Sequence, residues 1–408
     1  MTRRALRRLY IVALLLFGAM VIWLNARLYY SAYHPERQDV PAQLAFIRQT
    51  LQAGAAHEMQ RYFPEGYFFS YALYGLAWAN WGLMHPEGRP QALAEARWAL
   101  AALDSPAGRA VFSPSLDPPY GVFYVGWRSL LHGAALQLQP ADQRDRADVE
   151  QFQANCAALA KAFDASPSPF LMAYPRQSWP VDSVVALAAL RLHDRLFQPR
   201  HAATINRWLA LAQARLDPAT GLLPHRARPD DGTMIEGARA TSQSLIAVFL
   251  PQIAPAWGAE QYAAFRRRFV TQVLGIPGVL EYPAGAAGVG DVDSGPLIFG
   301  VSLSASVVTA AAAQANGDRA LADALLDVGE ALGMPMQLGG AKRYALGVLP
   351  LGDAFLAWAK SIPPAGGLPQ PTSRTAPVAA GWRLPIHLVS ALVLLLLGLP
   401  IWRSRRRV

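Results

Sequence analysis

Six loops between residues 40 and 360 carry carboxylates, side chains that commonly act as general acids and general bases. Each loop is rich in aromatic residues and runs into a stretch of small apolar residues with helical spacing. The loop carboxylates are Glu65, Asp117, Asp182, Glu236, Asp291, Asp293 and Asp353. Acid–base chemistry needs at least two such groups at one cavity, so the elements that carry the loops must bring them together.

Three of these acids, Asp182, Asp293 and Glu65, are the predicted proton-transfer residues. Asp182 and Asp293 are expected where a loop joins a rigid inner helix, which fixes a side chain better than a free loop can. Glu65 stands among aromatic residues that would partly desolvate its carboxyl group and raise its pKa toward the value that a general acid needs. The alternative for each acid taken singly is a helix cap or an exposed loop charge.

Aromatic, acidic and basic side chains of the same loops are the predicted substrate contacts. Flat apolar rings can pack on the C–H faces of a sugar, while charged groups bind its hydroxyl groups within a concave pocket. The predicted contacts are Tyr67, Tyr120, Tyr124, Trp127, Tyr174, Trp179, Glu236, Arg239, Tyr282, Asp291 and Tyr344. Because these residues come from six separate loops, they form one site only if the loops meet at one end of the fold.

Helical periodicity dominates the middle of the chain, with no convincing alternation of the strand type. Twelve helices are predicted, in pairs, at residues 41–53 and 67–83, 90–103 and 122–136, 142–163 and 181–197, 200–215 and 238–250, 260–273 and 296–315, and 318–332 and 351–359. The second helix of each pair is the less charged one, as expected of an inner ring enclosed by an outer ring. The predicted fold is therefore all-α: an (α/α)6 toroid of six helix hairpins whose long loops meet at one end.

Two strongly apolar stretches flank this toroid, each next to an arginine cluster. Residues 10–24 follow four arginines, and residues 388–402 precede four more. Each stretch reaches membrane-spanning length when the neighbouring aromatic residues are included. The positive-inside rule then places both termini in the cytoplasm and the middle outside, which predicts a two-pass protein of a bacterial inner membrane. A cleaved signal peptide is the alternative for the N-terminal stretch.

The predicted domain order follows from these stretches. Residues 1–30 form a basic tip and an N-terminal anchor, 31–361 an extracytoplasmic toroid, 362–381 a Pro/Gly/Ala-rich linker, and 382–408 a C-terminal transmembrane helix with a basic tail. The terminal arginines supply most of the formal net charge of +9, so the middle is near neutral and no nucleic-acid partner is predicted.

The sequence predicts neither a metal site nor a cofactor. The single cysteine, Cys156, excludes an intrachain disulfide and a zinc–thiolate cluster, and it lies in a predicted outer helix as an inert core residue. The histidines show no spacing typical of metal ligands. The predicted partners are a small-molecule or glycan substrate and the membrane.

The twelve-helix period and three loop segments resemble a known superfamily. With residues 177–183 (QSWPVDS) and 291–296 (DVDSGP) placed at inner-end loops, the chain resembles the six-hairpin glycosidase-like toroids over residues 40–361. The same region also looks like the linalool dehydratase/isomerase branch of these toroids, notably in residues 63–67 (FPEGY) and in the Asp-Ser-Gly-Pro segment at 293–296. The first resemblance implies a glycan-active hydrolase; the second implies a lyase or isomerase that uses active-site cysteines.

Three functions remain open at the level of sequence. A membrane-tethered glycan hydrolase needs two carboxylates across a cavity, one acid and one base or nucleophile. A lyase or isomerase acting on an apolar alcohol needs fewer carboxylates and a drier pocket. A non-catalytic glycan-binding or envelope-assembly protein keeps the aromatic rim but tolerates the loss of any one acid.

Overall fold

The computed structural model describes residues 3–363 and 381–405, so most of the predicted linker at 362–381 lies outside the described residues. The described chain is mainly helical. The first nine helices are α1 (Arg3–Arg27), α2 (Tyr30–Tyr33), α3 (Val40–Gln52), α4 (Ala55–Tyr62), α5 (Gly66–Met84), α6 (Arg89–Leu103), α7 (Pro106–Arg109), α8 (Gly121–Gln137) and α9 (Arg146–Ala165). The others are α10 (Pro180–Leu196), α11 (Ala202–Gln213), α12 (Ala240–Ile253), α13 (Pro255–Phe269), α14 (Leu303–Ala315), α15 (Arg319–Leu332), α16 (Pro350–Ser361) and α17 (Leu384–Arg405).

Six of these helices form a closed inner ring. Helices α5, α8, α10, α12, α14 and α16 pack each against the next in this order, and α16 packs back against α5. Helices α3, α6, α9, α11, α13 and α15 pack outside them. The inner helices consist largely of buried small and aromatic residues, whereas the outer ones bury one face only. The predicted (α/α)6 toroid is therefore confirmed by the ring itself.

Aromatic side chains fill the centre of the ring. Trp127 of α8, Phe249 of α12 and Trp358 of α16 pack on one another with ring centroids 5.5, 6.0 and 6.4 Å apart. Phe69 of α5 packs on Trp127 at 5.3 Å. Contacts of this kind add to the free energy of burying large apolar area. The ring axis is core rather than a channel, which leaves the loop end of the toroid as the place for a cavity.

The hairpin loops contain short strands that the sequence pattern does not predict. Three antiparallel pairs form, β1 (Arg226–Ala227) with β2 (Met234–Glu236), β3 (Val270–Val273) with β4 (Ile276–Val279), and β5 (Met336–Leu338) with β6 (Ala341–Arg343). They belong to the fourth, fifth and sixth long loops. Strands of two to four residues are too short to show an alternating pattern in sequence.

Two predicted helix boundaries in the fifth hairpin are wrong. The inner helix begins at Leu303 rather than at residue 296, because the hydroxyl of Ser302 caps it by accepting a hydrogen bond from the Ala305 amide at 3.2 Å. The preceding turn contains Gly300 at φ +80°, which is incompatible with a continuing helix. The outer helix of this hairpin ends at Phe269, and the chain continues directly as β3.

The two terminal helices pack side by side. Of the described helices, one, over Ala5–Arg27, is long and apolar enough to cross a membrane. The apolar stretch Leu384–Leu399 of α17 is shorter, so the predicted second membrane span is not supported. Asn25 joins them: its amide nitrogen donates to Ser390 Oγ at 2.8 Å, and its amide oxygen lies 2.6 Å from His387 Nδ1. Large apolar side chains on both helices are exposed.

Candidate active site

Asp182 lies in the first turn of inner helix α10 and is buried. Helix α10 begins after Trp179 with Pro180 in its first turn, where a missing N–H is harmless. The Asp182 side chain does not cap the helix, and within the described residues its carboxyl group accepts no hydrogen bond. A buried carboxyl group without a partner is costly unless it is protonated. The capping alternative therefore does not account for Asp182.

Asp293 lies in the fifth long loop, well before helix α14. Its backbone amide donates to Asp291 Oδ1 at 3.1 Å, and the hydroxyl of Ser304, in the first turn of α14, donates to its carbonyl oxygen at 2.6 Å. The predicted position of Asp293, at the join with an inner helix, is thus wrong, because the helix starts later. Hydrogen bonds to Asp291 and Ser304 hold the loop instead. The residue is exposed, yet protein surrounds much of its carboxyl group.

Glu65 directly precedes inner helix α5, and its carboxyl group accepts a hydrogen bond from the hydroxyl of Tyr174. Tyr174 belongs to the third long loop, so this bond joins two loops that are far apart in sequence. The ring of Tyr174 also packs edge-on against Trp179 at 5.9 Å. Glu65, Tyr174 and Trp179 therefore form one wall of the site that contains Asp182.

The three acids lie close enough for Glu65 to act on the pKa of both Asp182 and Asp293, and for Asp293 to act on that of Asp182. Burial raises the pKa of Asp182 well above its ordinary value, and the charges of Glu65 and Asp293 raise it further. Burial, and then the charges of Asp291 and Glu65, raise the pKa of Asp293 to about 6. Burial also raises the pKa of Glu65, against the Tyr174 hydrogen bond, which lowers it. Raised pKa values of this kind are what proton transfer near neutral pH requires.

Arg239 is the cation of the site, and three carboxylates share it. Its guanidinium lies 2.6 Å from Asp291, 2.8 Å from Glu281 and 3.3 Å from Glu236. Burial would raise the pKa of Asp291, but the bond to Arg239 lowers it to about 2, so Asp291 is ionised next to Asp293. Arg239 Nη2 and Glu281 Oε2 are buried without a hydrogen-bond partner in the described chain, which leaves polar capacity at this wall.

Some predicted contact residues lie at this site and some lie elsewhere. Trp179, Tyr174, Glu236, Arg239 and Asp291 belong to it, as does Tyr282, whose ring lies against the Arg239 guanidinium at 5.3 Å. The others are placed apart from the three acids. Those are Tyr67, Tyr120, Tyr124, Trp127 and Tyr344.

Packing explains each of these other positions. Tyr67 turns outward and packs on His57 of α4 at 4.9 Å. Tyr124 donates a hydrogen bond to the Leu103 carbonyl at 3.1 Å, and Tyr120 packs beside Tyr124. Trp127 is part of the aromatic core on the ring axis. The Tyr344 hydroxyl donates to Glu330 in a separate buried cluster. Aromatic residues of a loop are thus divided between site and core by side-chain direction, which composition does not reveal.

The sequence analysis missed Glu281, a fully buried residue at the start of the fifth loop. Its carboxylate accepts from Arg239 and, at 2.8 Å, from the Thr241 hydroxyl. Glu281 holds Arg239 toward the acids. No residue spacing in the sequence identifies Glu281 as part of the site. His225 was also missed; its Nδ1 lies 2.6 Å from Ser242 Oγ, and burial lowers its pKa to about 3, so it is neutral at this wall.

One cluster of metal-ligand type lies among the described residues, away from the three acids. His193, Asp194 and His201 bring one ligand atom each within 4.8 Å of one another. They lie at the end of α10 opposite Asp182. The Asp194 carboxylate already accepts from His193 at 3.0 Å and from the Arg200 amide at 2.9 Å. These bonds close the turn between α10 and α11, which accounts for the cluster structurally.

The solved structures to which this chain is similar include two sugar-related proteins. A GH76 α-mannanase from Bacteroides thetaiotaomicron is 11% identical to this chain. The match covers 72% of this chain and 86% of the mannanase chain, with a TM-score of 0.44. A UGL variant with the saccharide dGlcA-Glc-Rha-Glc is 13% identical. That match covers 71% of this chain and 84% of the UGL chain, with a TM-score of 0.43. No protein-family model and no curated protein matches the sequence. At this level of similarity the helix ring of the chain itself defines the fold.

Proposed function

We propose that this protein is a membrane-anchored, extracytoplasmic, glycan-active hydrolase that uses paired carboxylates in the loop-end cavity of a helical toroid. The observation that carries the proposal is the convergence of Asp182, Asp293 and Glu65: besides burial, the charges of Glu65 and Asp293 raise the pKa of Asp182, and the charge of Glu65 adds to that of Asp293. Hydrolysis of a glycosidic bond needs one protonated and one ionised carboxyl group facing the same bond.

The electrostatics of the site divide the two roles. Burial raises the pKa of Asp182, the more deeply buried acid, well above its ordinary value, and we assign it as the general acid that protonates the leaving oxygen. Asp293, with a pKa of about 6, is ionised at neutral pH and takes the proton of the attacking water or attacks the sugar itself. Asp291 does not transfer protons in this scheme, because Arg239 holds it ionised. Its charge helps to set the pKa of Asp293.

Glu65 and the aromatic wall complete the proposed site. The Tyr174 hydroxyl fixes the Glu65 carboxyl group, and the charge of Glu65 keeps the pKa of Asp182 high. Tyr174, Trp179 and Tyr282 offer partly exposed rings for the C–H faces of a sugar.

The position of Cys156 weighs against the lyase or isomerase alternative, which implies an active-site thiol. Cys156 is fully buried in outer helix α9, and burial raises the pKa of its thiol. A buried thiol of this kind is inert. Dehydration of an apolar alcohol through a cysteine therefore has no group at this site to perform it.

The anchoring part of the proposal rests on the paired terminal helices. Helix α1 has the length and composition of a membrane span, and α17 packs on it through Asn25 with exposed apolar side chains on both helices. We propose that α17, whose apolar stretch is shorter than that of α1, crosses the membrane beside it, so that both arginine-flanked ends lie in the cytoplasm. Alkaline phosphatase fused after Gly352 should then be active in a bacterial cell. A well-expressed but inactive fusion would contradict this topology.

The catalytic part is tested with bacterial envelope oligosaccharides as substrates. Asp182→Asn and Asp293→Asn should each fold normally and lower turnover by ~10²-fold or more, the range that one positioned proton donor or acceptor supplies. Asp117→Asn is the matched control, because Asp117 is an exposed loop carboxylate away from the three acids. Full activity in both Asp182→Asn and Asp293→Asn would overturn the assignment of these two acids, whereas binding of the oligosaccharide without turnover by the wild type would favour a glycan-binding protein.

A further inference from the structure

Large apolar side chains are exposed almost entirely at the loop end of the toroid. The fifth and sixth loops carry the most exposed ones, including Leu274 at 80%, Phe299 at 75% and Val348 at 73%. Away from the loop end of the described toroid, the exposed large apolar residues are Met84, at 38%, and Tyr33, at 74%. Isolated exposed apolar residues are ordinary, but a concentration on one face marks an interaction surface.

Several of these residues occupy backbone conformations that large side chains disfavour. Leu274, Phe299, Met334 and Leu346 have φ of +52°, +51°, +48° and +59°. Glycine or asparagine is the usual residue in this left-handed region. At a turn tip in water, a bulky apolar side chain in a strained backbone conformation does not stabilise the fold. The side chains themselves therefore have a role outside the fold, and we name the set of Leu274, Phe299, Met334, Leu346 and Val348 the apolar rim.

The membrane anchor joins the toroid at this same end. The C-terminal residue of α1, Arg27, bonds Glu330 in the last turn of α15 at 3.3 Å. The next residue, Leu28, is buried in one cluster with Ala324 and Ala331 of the same helix. Because α15 is an outer helix, its C-terminal end runs into the sixth loop. The point where α1 leaves the membrane is thus level with the loop end of the toroid.

The chain then runs away from the loop end. The amide of Ser31 donates to Asp327 at 2.7 Å, and Arg37 donates to Asp323 at 3.3 Å, each further toward the N-terminal end of α15. The start of α17 gives the same orientation. Gly275, at the tip of the β3–β4 hairpin, lies against Pro385 and Trp382, and Arg383 donates to the Leu28 carbonyl at 2.7 Å. Leu274, the neighbouring tip residue, therefore lies beside the first turn of the second apolar helix.

We infer that the loop end of the toroid faces the outer leaflet of the membrane and that the apolar rim inserts into its headgroup–acyl boundary. Apolar side chains that project from loops gain free energy by this insertion in proportion to the area removed from water. The cavity then opens toward lipid headgroups rather than toward free solution. Building on the proposed function, its substrate is an amphiphile: a saccharide joined to a lipid chain that stays in the leaflet.

The orientation is tested with the full-length protein in lipid nanodiscs, without reference to activity. In a Cys156→Ala background, Leu274→Cys, Phe299→Cys and Met334→Cys are each labelled with an environment-sensitive fluorophore. Met84→Cys is the matched control at the opposite end. Lipids that carry a spin-label quencher near the headgroup should quench the three rim labels several-fold more than the Met84 label. Equal quenching at all four positions would overturn the inference.

The substrate class is tested with one saccharide in two forms, free and joined to a long acyl or prenyl chain. Wild-type protein in nanodiscs should turn over the lipid-linked form at least ~10-fold faster at equal concentration. Leu274→Asp with Phe299→Asp should reduce this rate about tenfold and leave the rate on the free saccharide unchanged, whereas Met84→Asp should change neither. Equal wild-type rates on both forms would overturn the substrate class. No turnover of either form would instead overturn the proposed hydrolase activity, while the quenching result stands by itself.

Discussion

Two groups of ionisable side chains lose contact with water on folding. They differ in how the free-energy cost of removing charge from water is offset. The acid site brings together Asp182, Asp293 and Glu65, which have like charge, and its cation, Arg239, is held by other carboxylates. The second group, which we call the lysine cluster, consists of Lys342, Lys360, Asp39 and Glu330, together with the hydroxyl of Tyr344. Its charges balance, and its four ion-pair contacts measure 2.6 to 2.8 Å.

The balance of charge decides the pKa values. In the lysine cluster burial would raise the pKa of Asp39 and Glu330, but Lys360 and Lys342 lower both below their ordinary values. At the acid site burial raises the pKa of Asp182 and Asp293, and neighbouring carboxylates add to the effect. A balanced cluster stays ionised and joins elements, here α3, α15, α16 and β6. An unbalanced one keeps protons available for chemistry.

The largest effect should come from the lysine cluster. Lys360→Met leaves Asp39 and Glu330 buried with one lysine between them, and breaking a buried ion pair by removing one partner costs about 3–5 kcal/mol. Thermal and denaturant unfolding of the full-length protein in detergent measure this loss. Lys161→Met, at an exposed position on α9, is the matched control and should change stability by less than about 0.5 kcal/mol. An equally small effect of Lys360→Met would contradict the structural role of the cluster.

The pH dependence of catalysis distinguishes the two groups next. Below pH 6 Asp293 becomes protonated, so kcat/KM should fall about tenfold for each further pH unit. The lysine cluster should not contribute to this limb, because its carboxylates remain ionised there. A pH–rate profile of wild-type protein is compared with that of Asp117→Asn as the control, which should show the same limb. An acid limb far below pH 5 would mean that Asp293 is not the base.

The smallest effect should be a gain in stability on removing charge from the acid site. A carboxyl group whose pKa is raised by folding stabilises the protein at low pH, and this contribution is lost as the pH rises through the folded-state value of about 6. Asp293→Asn should therefore unfold at a higher temperature than wild type at pH 7 and at the same temperature near pH 4. Asp39→Asn should show the opposite sign at pH 7, because the pKa of Asp39 is lowered by folding. Calorimetry at the two pH values gives both comparisons.

Most helices could be predicted from the sequence, because their apolar spacing is a local property. Helices α5, α6, α8 and α15 begin and end within two residues of their predicted bounds. The exceptions lie where the local signal is weak. Helix α14 starts late because of the Ser302 cap, and the β3–β4 hairpin replaces the predicted end of an outer helix. Short hairpins depend on their contacts with neighbouring loops, and sequence periodicity does not record these contacts.

The acids of the site could be named from the sequence, but their surroundings could not. Loops that precede inner helices must meet at one end of a closed ring, so Glu65, Asp182 and Asp293 were expected to approach one another whatever the details of packing. The groups that act on the pKa values of Glu65 and Asp182 come from other loops, whereas Asp293 is affected, besides burial, by Asp291 of its own loop and by Glu65. Glu281 is far in sequence from Arg239, and Tyr174 is far in sequence from Glu65. Only the closed ring brings each pair within hydrogen-bond distance.

The sequence by itself determined the helical ring and its loop end, the apolar terminal stretches and the carboxylates available for chemistry, because each of these follows from residue type and local spacing. The tertiary structure alone decided which aromatic rings line the site and which fill the axis. It also decided that Arg239 is shared while Lys360 balances its cluster, and that α1 meets the toroid at its loop end. These outcomes depend on the direction of each side chain once twelve helices pack, and the free energy of burying a charge depends on every neighbour that packing brings.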